Sequence, residues 1–199
     1  MAKTKKAEAT KRLIYESAIH LFTKHGYDAV SIQKIADHAG TAKGSFYSYY
    51  TTKSDIIVEK FWEIDAYYRS IEEVVRQERG GERRLLTFTE LQLTYVRDVV
   101  GCDVLKVLYA NQVLQEGSQK TITDETRFWF TFIEEIIAEA QRSGEFNSRE
   151  SASTYARFFN RVIRGLFLDW NISSASFDLV EVGMHYCSSI LIEALKRKN

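Results

Sequence analysis

Apolar residues recur at helical intervals along almost the whole chain. Between residues 8 and 25, Leu13, Ile14, Ala18, Leu21 and Phe22 form one stripe. It ends at His25-Gly26, where glycine can take the left-handed cap. Ser31 is a good N-cap for a short helix with Ile32, Ile35 and Ala36 inward. Ala39-Gly40-Thr41 interrupts that helix, and Thr41 is placed to cap a third segment from Ala42 to Tyr49. A fourth helix, capped by Thr51 or Thr52, carries Ile56, Ile57, Phe61, Ile64 and Tyr68 to about Gln77, and Gly80-Gly81 breaks it. Further amphipathic stretches run from about Arg83 to Val99, Cys102 to Leu114, Thr121 to Arg142, and Ser148 to Trp170 or Asn171. A last one carries Phe177, Val180, Met184, Ile190, Leu191 and Leu195. Gly117 to Gln119 marks a turn, and Ser143-Gly144 a stop. The pattern predicts an all-α fold of about nine helices, with no strand and no internal repeat.

The composition supports a packed interior: 45% of 199 residues are apolar and none is proline, the residue most damaging to long helices. Cys102 and Cys187 lack metal-ligand spacing, and His20, His25, His38 and His185 are not paired with a carboxylate or cysteine at such spacing. No nucleotide-binding loop is present, so neither a cofactor, a metal nor an enzyme activity is expected. No apolar run approaches membrane-spanning length, and the lysine-rich start lacks a signal peptide's apolar stretch; a cytoplasmic protein is the expectation.

Net charge is zero but uneven. Residues 1–50 hold eight lysines and arginines against four carboxylates, a net of +4, so the remainder carries −4. A basic head on an acidic body suits a protein that meets phosphates at one end.

Within that head, the run from Ser31 to Tyr47 joins two short amphipathic segments at one glycine, with hydroxyl, amide, lysine and tyrosine groups outward. That is the pattern of a helix-turn-helix. The N-terminal segment resembles the TetR family of bacterial transcriptional regulators. The likeness is carried by Ala18, Leu21-Phe22, Gly26-Tyr27, Ser31-Ile32, Ile35-Ala36, Ala39-Gly40, Gly44, Phe46-Tyr47, Tyr50, Lys53 and Ile56. Thr41 departs from the usual valine, Tyr50 from phenylalanine, and Thr51-Thr52 from the frequent proline or asparagine with serine.

The resemblance implies a three-helix DNA-binding domain over residues 1–52 and a ligand-binding and dimerisation domain over 53–199. Its partners would be double-stranded operator DNA, a second copy of the chain and a small-molecule effector. Ala42, Lys43 and Ser45 are expected on the outward face at the start of the recognition helix, with Thr41 and Gly44 beside them. Lys43 suits either a guanine edge or a phosphate. Gly44 reads either as close helix packing or as room for a phosphate. Tyr47 and Lys53 fit backbone anchoring, with Ser31, Gln33 and Tyr49 as further phosphate contacts. The plain alternative for Lys53 is a solvated lysine.

In the body, Trp62, Tyr95, Tyr109, Gln112, Trp129, Phe132 and Phe159 are candidates to line a pocket for a largely apolar or aromatic effector. Ordinary core packing is the competing role for each. Phe158, Val162, Ile163 and Leu166 on one helix, with Val180, Met184, Cys187 and Leu191 on the last, are the expected dimer surface. Gly165 and Gly183 would let backbones approach there. The alternatives to an effector-released repressor are a helical protein-interaction module and a redox-responsive regulator acting through Cys102 or Cys187.

Overall fold

The computed structural model describes residues 2–114 and 120–196, with side chains from Lys6 onward. The turn expected at Gly117 to Gln119 lies outside the described residues. These hold eleven α-helical segments: α1 (Ala2–His25), α2 (Ile32–His38), α3 (Lys43–Tyr47), α4 (Lys53–Ser70), α5 (Glu72–Arg76), α6 (Gly81–Tyr95), α7 (Cys102–Leu114), α8 (Phe128–Arg142), α9 (Ala152–Ile172), α10 (Leu179–Tyr186) and α11 (Ile192–Leu195). Ile71 alone separates α4 from α5, and a π-helical turn joins α10 to α11, so the segments form nine rods. The extended contact among the described residues is one antiparallel bridge, Phe146 to Lys196. The chain folds as two compact units, Met1–Trp62 with Lys106–Ile122, and Glu63–Leu105 with Thr123–Asn199.

In the first unit, Ile14, Ala18, Phe22, Val30, Ile35, Ala36 and Phe46 are all at most 1% exposed and form the head's core. Leu13, expected inward, is half exposed. One residue from Ile14 is a 100° rotation on a helix, which carries it off the stripe. The helix backbone already begins at Ala2. Gly26 and Gly40 take positive φ, +81° and +65°, as the two turns require. The Ser31 hydroxyl accepts from the Lys34 amide at 3.2 Å and caps α2. Thr41 does not cap α3: Ala42 holds that position, and the Thr41 hydroxyl is buried without a hydrogen-bond partner. At α4 the capping group is Asp55 instead of either threonine hydroxyl. Its carboxylate accepts from the amides of Thr51 and Thr52 at 2.7 and 3.0 Å.

The second unit packs α6, α8, α9 and α10 around Leu85, Phe88, Leu93, Ile133, Ile137 and Ala156, each fully buried. α6 starts two residues before the expected Arg83 because the Glu145 carboxylate accepts from the amides of Gly81 and Glu82, at 2.6 and 2.9 Å. Gly81 itself lies where a side chain would overlap Ala140. α8 begins at Phe128 rather than near Thr121. Asp124 turns the chain by accepting from the Thr126 amide, and Arg127 is extended. Ser151, not Ser148, caps α9 by accepting from the Thr154 amide, and Asp178 caps α10.

Leu179, Gly183, Cys187 and Leu191 are buried at intervals of four. An ideal α-helix would rotate such a row about 40° per step out of the core. The π-helical turn Cys187–Leu191 removes part of that drift, and the turn Val96–Val100 does the same for Gln92, Val96 and Val100 at the end of α6.

Candidate nucleic-acid interface

Phe46 anchors α3 from beneath, and this determines what the helix shows outward. Ala42, Lys43 and Gly44 are exposed, Ser45 and Tyr49 are half-buried, and Tyr47 is 54% exposed with its ring edge-on to Phe46. A Cβ added at Gly44 would meet nothing within 4 Å. Packing within the chain therefore does not require this glycine. On α2, Ser31 and Gln33 are exposed. The Ser31 hydroxyl is engaged in its cap, and the Gln33 amide donates to Asp37 at 2.7 Å. Thr41 points its hydroxyl inward, away from this face.

Lys53 is not a solvated lysine. Its Nζ donates to the carbonyls of Tyr27 at 2.9 Å and Val30 at 2.7 Å, and sits 4.4 Å above the Tyr27 ring centre. Partial burial lowers its pKa, opposed by the nearby Asp28. Two of the three ammonium donors are thus used to hold the cation beside the start of α2, leaving one for a ligand. α1 is tied to α4 by Lys11 and Glu59 at 2.9 Å, with the Tyr50 hydroxyl donating to the same carboxylate. That bond gives the tyrosine at this departure from the family pattern a use that phenylalanine lacks.

The residues expected at an effector pocket divide between the units. Trp62, half exposed, and Tyr109 and Gln112 belong to the first. Gln112 accepts from the Ile122 amide at 3.1 Å and supports the chain there. Tyr95, Trp129, Phe132 and Phe159 belong to the second, within one aromatic interior. Tyr95 stacks on Tyr67 at 3.8 Å, Phe132 contacts Phe88 and Phe128, and Trp129 faces Phe159. Among the described residues, the buried atoms Gln92 Oε1, Trp129 Nε1 and Asn160 Oδ1 of this unit have no hydrogen-bond partner. Such groups are costly unless something satisfies them.

Of the expected dimer residues, Ile163, Leu166, Cys187 and Leu191 are buried inside the unit, because they form the seam between α9, α10 and α6. Gly183 serves that seam too: a Cβ there would strike Leu93 and Leu166. Phe158 remains exposed, while Val162, Val180 and Met184 are half-buried. Leu168 and Ile172 on α9 and Tyr186 on α10 are exposed as well. Burial pushes the Cys187 thiol up to about 11, opposite to a reactive thiolate. Cys102 is half-buried against the Asn171 carbonyl.

A trihelical head with a basic, aromatic outer face on its short third helix, α3, defines a DNA-binding protein of the helix-turn-helix class. Residues 5–59 match the family model of bacterial regulatory proteins, tetR family. The fatty acid metabolism regulator protein of Bacillus subtilis is 22% identical over 168 residues, which cover 84% of this chain and 86% of that one. Two solved structures share the fold over nearly their whole length. The transcriptional regulator FadR of B. subtilis, in complex with stearoyl-CoA, has a TM-score of 0.77 at 18% identity, covering 92% of this chain and 98% of that one. Thermus thermophilus FadR, in complex with lauroyl-CoA, has a TM-score of 0.69 at 18% identity, covering 95% and 96%. Residues 5–59 thus carry a DNA-binding segment of the tetR-family type, and the chain as a whole shares the fold of the two solved structures. DNA binding by a transcriptional regulator is the general role that this segment supports. No described helix is long and apolar enough to cross a membrane.

Proposed function

We propose that this protein is a repressor that binds a palindromic operator as a homodimer and is released by a largely apolar or aromatic effector. The observation that carries the DNA half is Lys53, held beside the start of α2 with a donor to spare, next to the open α3 face of Lys43, Gly44 and Tyr47. Lys53, Tyr47, Ser31, Gln33 and Tyr49 anchor phosphates. Ala42, Lys43 and Ser45 face base edges, and Gly44 leaves room for the backbone.

One short recognition helix covers only a few base pairs, so two heads are needed for selectivity. The exposed apolar groups of α9 and α10 supply the pairing surface. The aromatic interior of the second unit, with its unsatisfied Gln92, Trp129 and Asn160 atoms, supports an apolar effector with a few polar groups. The acyl-CoA complexes of the two FadR proteins make long-chain acyl thioesters the first class to test.

Titration against matched and scrambled duplexes tests the DNA assignment. Lys53→Gln is expected to weaken binding to all duplexes alike, by about five- to tenfold, as loss of one charged phosphate contact should. Lys43→Ala is expected to change which sequence is preferred. The reverse pattern would overturn the assignment.

A further inference from the structure

Lys53 is positioned through Tyr27, and Tyr27 is held from two ends. Its carbonyl accepts from Lys53 Nζ, and its ring lies under the same ammonium. Its hydroxyl lies 2.9 Å from Ser54 Oγ. Ser54 Oγ in turn accepts from Asn111 Nδ2 at 3.2 Å, and Asn111, on α7, is 1% exposed. Asn111 is fixed on its other side by Gln112, whose amide donates to Asn111 Oδ1 at 3.3 Å. All of these residues lie in the first unit.

We propose that Asn111 is a positioning residue for DNA binding, which sets the Lys53 ammonium through Ser54 and Tyr27. The inference rests on Lys53 as a phosphate anchor. The Tyr27 phenol is raised above its ordinary range, chiefly by burial, so it stays protonated and keeps its place in the chain of bonds. α7 is one continuous helix whose first residues, Cys102–Leu105, belong to the second unit. Sliding α7 by a single residue, about 1.5 Å, exceeds the slack in a 3.2 Å hydrogen bond. The axial position of α7 thereby becomes a determinant of DNA affinity.

The test uses full-length variants titrated against a random-sequence duplex over a range of salt. Asn111→Leu, which keeps the branched shape but removes the donor, is expected to weaken binding about three- to tenfold. It should also flatten the salt dependence towards that of Lys53→Gln, by up to about one ion. The double variant should be no weaker than Lys53→Gln alone, because both changes remove one contact. Ser54→Ala should behave as Asn111→Leu, whereas Ser54→Thr, which keeps the hydroxyl, should restore binding. The serine variants carry the test should Asn111→Leu fail to fold. If Lys53→Gln weakens binding while Asn111→Leu and Ser54→Ala do not, or if the effects add in the double variant, the relay is wrong and the anchor stands. If Lys53→Gln changes neither affinity nor salt slope, the anchor fails and takes the relay with it.

Discussion

Replacing Asp65 with alanine is expected to lower stability by about 3–5 kcal/mol, the largest loss from any single polar substitution in the second unit. Asp65 on α4 accepts two parallel bonds from Arg127, Nε at 2.8 Å and Nη2 at 2.7 Å. The side chains are only 4% and 10% exposed. Removing the carboxylate takes away the two charge-assisted bonds that the buried guanidinium makes to Asp65, and that part of its desolvation is then uncompensated. The pair itself is not the source of stability, since its mutual attraction largely offsets the cost of taking both ions from water. Asp65→Leu combined with Arg127→Leu is therefore expected to recover most of the loss. Thermal unfolding of the singles and the double checks this, the single falling by roughly 10 °C. A double variant as unstable as Asp65→Ala would show that the bonds, and not the buried charge, dominate.

The second large effect concerns Gly165. It lies on the exposed side of α9, is helical, and a Cβ there would meet nothing within 4 Å. Glycine inside a helix costs about 1 kcal/mol against alanine, so nothing inside the protomer favours it. A surface that closes on a second copy would favour it, by allowing the backbones to approach. Gly165→Glu is thus expected to leave the protomer folded while placing a carboxylate in the pairing surface. Sedimentation should shift from twice the chain mass to a single chain. Operator affinity should fall at least a hundredfold, since a single head loses the gain from binding two half-sites at once. A variant that remains paired and binds DNA normally would remove α9 from the interface.

The head was the most legible part of the sequence because its signals are local. Ser31 caps within three residues, Gly40 marks the turn by its own conformation, and the Ile35, Ala36 and Phe46 spacing reports one small core. Thr41 was misread because a hydroxyl before a helix usually caps it, whereas burial of the turn draws this one inward. The Asp65–Arg127 pair spans 62 residues and leaves no local trace. Its one signal was an aspartate set among the inner-face positions Phe61, Ile64 and Tyr68. The π-helical turns were foreshadowed by apolar or small residues at intervals of four in the last helix, a spacing an α-helix cannot keep on one side. Half of the expected dimer residues lie inside the protomer for a related reason. Apolar pattern alone does not tell the seam within a protomer from the seam between protomers, and here Ile163, Leu166, Cys187 and Leu191 fill the first.

The central claim, that the α2–α3 face with Lys53 binds duplex DNA through its phosphates, is tested most directly by affinity for duplex DNA as a function of salt. Log affinity is expected to fall linearly and steeply with log salt, and Lys53→Gln to make the slope shallower by about one ion. An affinity indifferent to salt, or a slope unchanged by Lys53→Gln, would contradict it.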